Sequence, residues 1–584
     1  VLLFQMAGAA KPFEGPAIAE LLSSILRDPP AALTSAVPQP LKDVISRCLE
    51  KDARRRFQHA AEVRVALETV ASTWRSGWSG ERSSSYKRIR HRLLSRSSLG
   101  ILSLLAVVAF SAAWYFWPVP RSIPRIAVLP LVNRSQDIDQ QFLVDGLTEG
   151  IINTLGRVTS VEVTARTSVM PYKGSTKTVA VIASELGVDA VVEGSATLIR
   201  ATGVAERVRV DFSLIDPRSQ TQIWSDTVER DLGGVLTLQG EIARIIAEKL
   251  HAGLTPVERK ILATQQLIDP EAAKLYLLGR QAWTTRTAPA LQAAVGYFNQ
   301  AIEREPTYAL AFAGLADSYV LLTGDFGAMT RADGAAKTVA AATRAIELDS
   351  TLAEAHTSLA FASYFLKWDF GLAGSQFARA IQLNPSYATA HHWYGDYLST
   401  LGREDEALAE MRQALALDPL SPIISRDVAW PLFFGRRYAD AIQQLTVTLK
   451  RHAGYLPAER LMARAYAQIP DSDEAIRRFE RLAPGDGFRG RCELAWAYAT
   501  AGRRADAERE LQAVLGRTTG TVYPYDLALV YTALGRRDEA FAELTRAFEE
   551  RDPTLVNLRH DPRLDALRPD PRYATLVGLM RFPK

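Results

Sequence analysis

Cysteine is nearly absent from this sequence. Its 584 residues include two, Cys48 and Cys492, too few for a disulfide framework or a cysteine-ligated metal site. Charge of one sign is also lacking. The net charge is +4, from 69 basic and 65 acidic side chains, so the chain has no basic excess of the kind that marks nucleic-acid binding, and no nucleic-acid partner is expected. Between residues 122 and 254 no nucleophile sits with a base, no metal-ligating cluster forms, and no glycine-rich phosphate loop occurs. Long uncharged apolar runs are confined to one place. Hydrophobic residues, by contrast, are plentiful at 47%, and the length predicts several packed domains.

The uncharged run is LGILSLLAVVAFSAAWYFW, residues 99–117. At helical rise it reaches roughly 28 Å, close to the hydrocarbon thickness of a bilayer. Trp114, Tyr115, Phe116 and Trp117 crowd one end, where aromatic rings favour the membrane interface. The expectation is one transmembrane helix over 98–117. Lys87, Arg88, Arg90, Arg92 and Arg96 precede it and only Arg121 and Arg125 follow closely. Basic residues stay on the cytoplasmic side, so residues 118–584 are expected outside the cell (inner) membrane, in a single-pass topology. Residues 73–97, rich in Ser, Gly and Arg, read as a basic juxtamembrane linker. The chain opens at Val1 inside an apolar run, which suits a piece of a longer product.

Within residues 1–72, Leu41, Val44, Ile45, Cys48 and Leu49 recur at helical spacing. Pro12-Phe13-Glu14-Gly15, followed by a helical stretch and Pro29-Pro30, precedes Cys48-Leu49-Glu50-Lys51-Asp52-Ala53-Arg54-Arg55-Arg56-Phe57. These two motifs resemble the late C-lobe of bacterial serine/threonine protein kinases, with Ala53 at a position where that family carries proline. The resemblance implies that Arg56 is the arginine that forms a buried ion pair with a glutamate of the activation segment. It also implies ATP and magnesium as cofactors of a parent kinase. The glycine-rich loop, strand lysine, His-Arg-Asp and Asp-Phe-Gly that do kinase chemistry cannot be placed in this chain, so no catalytic, cofactor-binding or metal residue is assigned within it.

Residues 122–254 alternate strand and helix patterns. Strands are predicted at 125–131, 161–165, 190–198, 208–215 and 221–229, with helices at 142–155, 179–186 and 235–250. The order predicts a small α/β domain. The run from Ile126 through Gly194 resembles the amino-terminal domain of TolB-like proteins. Asp145, Glu149 and Asp189 read as helix caps or solvated charges, and Trp224 as core.

Residues 270–552 repeat. Small residues recur at Ala360, Gly395, Ala429, Ala463, Ala495 and Ala528, in steps of 35, 34, 34, 32 and 33. A second series runs through Ala407, Ala441, Ala475, Ala507 and Ala540, each with a larger apolar residue four positions on. Gly402, Gly435, Gly502 and Gly535 are placed to end first helices. This is the tetratricopeptide (TPR) pattern of paired antiparallel helices, with about eight units and a closing segment at 553–584 over the last apolar face. His391, His392 and Trp393 are candidates to line the groove of such an array, where a protein or peptide ligand is expected to bind.

The expected fold class is therefore multidomain and mainly α, comprising a kinase C-lobe fragment, one transmembrane helix and a TPR α-solenoid, plus one small α/β domain. The expected function is the C-terminal portion of a membrane-bound serine/threonine protein kinase whose outer region senses or binds protein, with homodimerisation as one means of coupling. The alternative is a non-catalytic, membrane-anchored TPR scaffold.

Overall fold

The computed structural model describes residues 33, 37, 39–50, 57, 62–63, 66–67, 123–135, 141–199, 206–250, 252–263, 268–324, 328–469, 472–516 and 523–583. Arg56, most of the kinase-like motifs, the 73–97 linker and the 98–117 span lie outside them. Among the described residues no helix is long and apolar enough to cross a membrane. The chain divides after Trp117 into two units. In the first, the described residues form α1 (Gln39–Cys48). Val44 and Ile45 are buried on its apolar face, and Arg47 lies 4.4 Å from the centroid of the Phe57 ring.

The second unit begins with a six-stranded sheet. Its elements are β1 (Arg125–Val128), β2 (Val132–Asn133), α2 (Gln141–Leu155), β3 (Glu162–Val163), α3 (Arg166–Val169), α4 (Val179–Leu186), β4 (Ala190–Ile199), β5 (Arg207–Asp216), β6 (Thr221–Asp231), α5 (Val235–Lys249) and α6 (Pro256–Leu262). The strand order is β3-β1-β4-β5-β6, with β2 paired to β4. The β1 pairings to β3 and β4 are parallel; β4–β5 and β5–β6 are antiparallel. Short buried β1 and alternating β5 follow from their sequences: Ile126, Ala127 and Val128 are all interior, whereas β5 buries Val208, Val210, Phe212 and Leu214 in turn. Asp216 fixes the turn after β5 by accepting from Arg218 N at 2.8 Å and Ser219 Oγ at 3.0 Å.

Eight helix pairs follow among the described residues. They are α7 (Pro270–Thr284) with α8 (Ala288–Arg304), α9 (Ala309–Gly324) with α10 (Arg331–Leu348), α11 (Ala353–Phe361) with α12 (Phe370–Leu383), and α13 (Ala388–Thr400) with α14 (Glu404–Leu417). Next come α15 (Pro422–Asp427) and α16 (Ala429–Phe434), a split first helix, with α17 (Tyr438–Arg451). Then α18 (Leu456–Tyr466) pairs with the first half of α19 (Ser472–Thr500), which breaks at Gly487, where φ is 59°. The second half of α19 pairs with α20 (Arg504–Leu515), and α21 (Pro524–Ala533) pairs with α22 (Arg537–Glu549). A π-helical turn at Ala362–Leu366 extends α11. Every alanine of the two recurring series is buried, and so are Met411, Leu445, Phe479, Leu511 and Leu544. At Gly395 a Cβ would lie 2.9 Å from Met411 Cγ and 3.1 Å from the Ala407 carbonyl oxygen, so the small residues mark where paired helices touch backbone to side chain.

The tail, with 3-10 turns at Pro553–Asn557 and Pro562–Leu567 and α23 (Pro571–Leu579), packs on α21 and also returns to much earlier pairs. Phe582 meets Phe370 at 4.8 Å, Arg436 pairs with Asp565 at 2.7 Å, and the His560 ring sits over Gly402. One first-helix end differs from expectation. Gly402, Gly502 and Gly535 have left-handed φ of 73–75°, but beside Gly435 the left-handed residue is Arg436, φ 59°.

Candidate functional site

The site is a cavity of about 640 Å³ on the inner side of the array. Its walls come from three parts of the second unit: α2 and the start of α3 with Ala165, the first helices of successive pairs, and the tail at Val556 and Asn557.

The contact that closes the α2 side begins with glycine. A Cβ on Gly146 would collide with Leu277 of α7, and one on Gly150 with Gln239 of α5, so the two glycines, four apart on one face of α2, let both helices approach. That approach brings Glu149 against Arg280. Arg280 Nε donates to Glu149 Oε1 at 3.0 Å, and Arg280 Nη1 donates to Asp317 Oδ2 of α9 at 3.3 Å. Ser358 of α11 donates to the other Asp317 oxygen, and Arg166 lies 3.5 Å from Glu149. Burial pushes the Asp317 carboxyl up to about 6 against the opposing pull of Arg280 and Ser358. The expectation that Asp145 and Glu149 are caps or solvated charges is thus corrected. Both sit inside α2 and are buried, Asp145 pairing with Lys173 at 2.8 Å. Asp189, which does lie in a loop, accepts from Arg125 N at 3.0 Å.

A second seam lies further along. Thr167 and Ser168 of α3 both donate to Asp418, which follows α14. Ala165 N donates to the Leu417 carbonyl at 2.8 Å, and Val163 N to Ser386 Oγ at 3.1 Å.

The cavity wall is aromatic. Trp283, Phe361, Tyr364, Phe365, Trp393 and Trp430 all contribute; Phe361 and Trp393 have ring centroids 4.5 Å apart. Arg280 and Arg286 stack over Trp283 at 4.3 and 3.8 Å. Trp283 Nε1 and Glu354 Oε2 are buried without a hydrogen-bond partner, and both residues line the cavity.

Of the three residues singled out in the sequence, His392 and Trp393 line this cavity. His391 does not. It bonds Glu410 of α14 at 2.6 Å through Nδ1 and the Pro385 carbonyl at 3.0 Å through Nε2, and so braces its own helix pair. Trp224 is half-buried, edge-on to Phe212 at 5.4 Å. Cys492 is buried in α19 and burial pushes its thiol well up. Missed by sequence reasoning were Arg280, Glu354 and Trp283; the periodicity of α7 and α11 places them on a face but carries no sign that the face borders a cavity.

Residues 388–419, the α13–α14 pair, match the tetratricopeptide-repeat family model. The chain carries TPR repeats. It is 34% identical over 247 residues to a putative adenylate cyclase 3 of Rhizobium meliloti (strain 1021), a match covering 42% of this chain and 40% of that protein. It is 24% identical over 206 residues to the transcriptional regulator HilA of Salmonella paratyphi A, covering 35% of this chain and 36% of that protein. The chain thus spans well under half the length of these curated relatives. Among solved structures it is similar to a thermophilic TPR protein of Thermus thermophilus, with 21% identity, a TM-score of 0.29, and coverage of 33% of this chain and 98% of that one.

Proposed function

We propose that the second unit is a non-catalytic recognition scaffold whose inner cavity binds a segment of a partner protein. The observation that carries this reading is the aromatic wall. Rigid rings supply contact area at small entropic cost, and Trp283 and Glu354 are both residues of the cavity lining. TPR repeats suit protein–protein recognition, and partial relatives named for different activities, a putative adenylate cyclase and a transcriptional regulator, fit a module that serves different outputs.

Peptides selected on the full chain from a random display library test the reading. They are expected to bind at least tenfold more weakly to Trp393→Ala, with the helical circular-dichroism signal unchanged. Equal binding by the variant, or no selected binder, overturns it.

On the sequence motifs alone, attachment to a kinase lobe and placement of residues 118–584 outside the inner membrane remain proposals. Reporter fusions at residues 90 and 300 test the topology; a cytoplasmic signal from the second fusion rejects it.

A further inference from the structure

On the cavity wall three ligand-type side chains converge. His392 and Asp396 are four residues apart on α13 and share a face. Asp427 ends α15, and its carboxylate meets His392 of α13. His392 Nε2 lies 2.8 Å from Asp427 Oδ2 and 3.9 Å from Asp396 Oδ2. One donor atom from each residue falls within 4.8 Å of the others. All three residues line the cavity, so the cluster is interior yet open on one side.

We propose that His392, Asp396 and Asp427 form a binding site for a divalent transition-metal ion of the zinc class. One imidazole and two carboxylates with an open fourth position is a donor set that such ions accept. In a tetrahedral site with bonds near 2.0–2.2 Å, ligand atoms stand about 3.4 Å apart. That spacing falls between the two observed distances, so a shift of about half an ångström brings each carboxylate oxygen to ligand spacing from the imidazole nitrogen. The Asp427 carboxylate is also paired with Arg426. Its buried Oδ1 makes no hydrogen bond, although Arg426 Nε lies 2.6 Å away as an ion-pair partner. Arg426 Nη2 donates to Oδ2 at 2.8 Å, an outer contact that holds the carboxylate in orientation. A dication replaces the proton that otherwise bridges His392 to Asp427, and its open position faces the cavity, where water or a partner's donor group completes it.

The test uses the full chain, freed of metal by chelation and titrated with Zn²⁺ by calorimetry, then with Co²⁺ followed by visible absorption. One ion per chain is expected, with a tetrahedral-type cobalt spectrum. Asp396→Asn, at a partly exposed position, and His392→Gln are each expected to bind at least tenfold more weakly with helical content unchanged. His356→Gln, whose ring bonds Gln376 and the Ser350 carbonyl away from the cluster, is expected to bind like the parent chain. Absence of a stoichiometric ion, or equal binding by Asp396→Asn, overturns the proposal.

Discussion

The two ends of the array are closed by different devices. At the first pair, the α/β module docks through charges that are split between the partners: Glu149 belongs to the module, and Arg280 and Asp317 to the array. At the last pair, the tail carries both halves of its buried pair, Arg563 and Asp561, 2.7 Å apart with 8% and 0% of their side chains exposed. Tyr525 of α21 donates to Asp561 at 3.0 Å, and Leu555, Leu558 and Leu564 fill the apolar face. A pair contained within one segment is satisfied wherever that segment goes. A pair divided between two domains leaves uncompensated buried charge on both when they part. The module is thus bound to the array as an obligate neighbour, and the tail behaves as a clip.

Breaking the shared network separates the two cases most strongly. Arg280→Met leaves Asp317 without its guanidinium and Glu149 with Arg166 alone, 3.5 Å away, and is expected to cost about 3–5 kcal/mol. Hydrogen exchange should speed up in both α2 and α7, while the tail keeps its protection. Adding Glu149→Gln to Arg280→Met should recover part of the loss, as a double-mutant cycle would register.

The clip is opened by a smaller change. Gly402→Ala places a methyl group where the His560 ring lies and requires a left-handed φ of 73° from alanine. The expected cost is about 1–3 kcal/mol, shared between the α13–α14 turn and the tail, and limited proteolysis should cut near residue 560 without loosening the module. Cleavage in the module instead would erase the contrast.

The smallest effect sharpens the second seam. Burial raises the Asp418 carboxyl above its ordinary value despite the bonds from Ser168 and Thr167. The folded state then holds the proton more tightly than the unfolded chain, so stability falls as pH rises from the unfolded value of about 3.9 through the raised folded value. Asp418→Asn has no such ionisation. Its stability should differ from the parent by about 1 kcal/mol and lose that component of the pH slope in thermal melts.

Much of the array was legible because its signal is local. Steps of 32 to 35 residues between small side chains, with larger ones four positions on, identify paired helices, and each of those residues is buried. Strand and helix order in the module was legible for the same reason, from alternation and helical periodicity in elements such as β5 and α2. Glu149 was misread because a carboxylate in a glycine-flanked helix looks solvated until its partner, 131 residues away, is known. His391 and His392 are neighbours in sequence, yet one braces its own pair and the other opens onto the cavity.

The sequence by itself determined the elements, because helix and strand periods assign each side chain a face within its own element. Only the tertiary structure decided what those faces meet. The curvature of a repeat array sums small rotations at every pair, and that sum carries the tail back to Gly402, and Asp418 to Thr167, 251 residues away. No spacing along the chain records it.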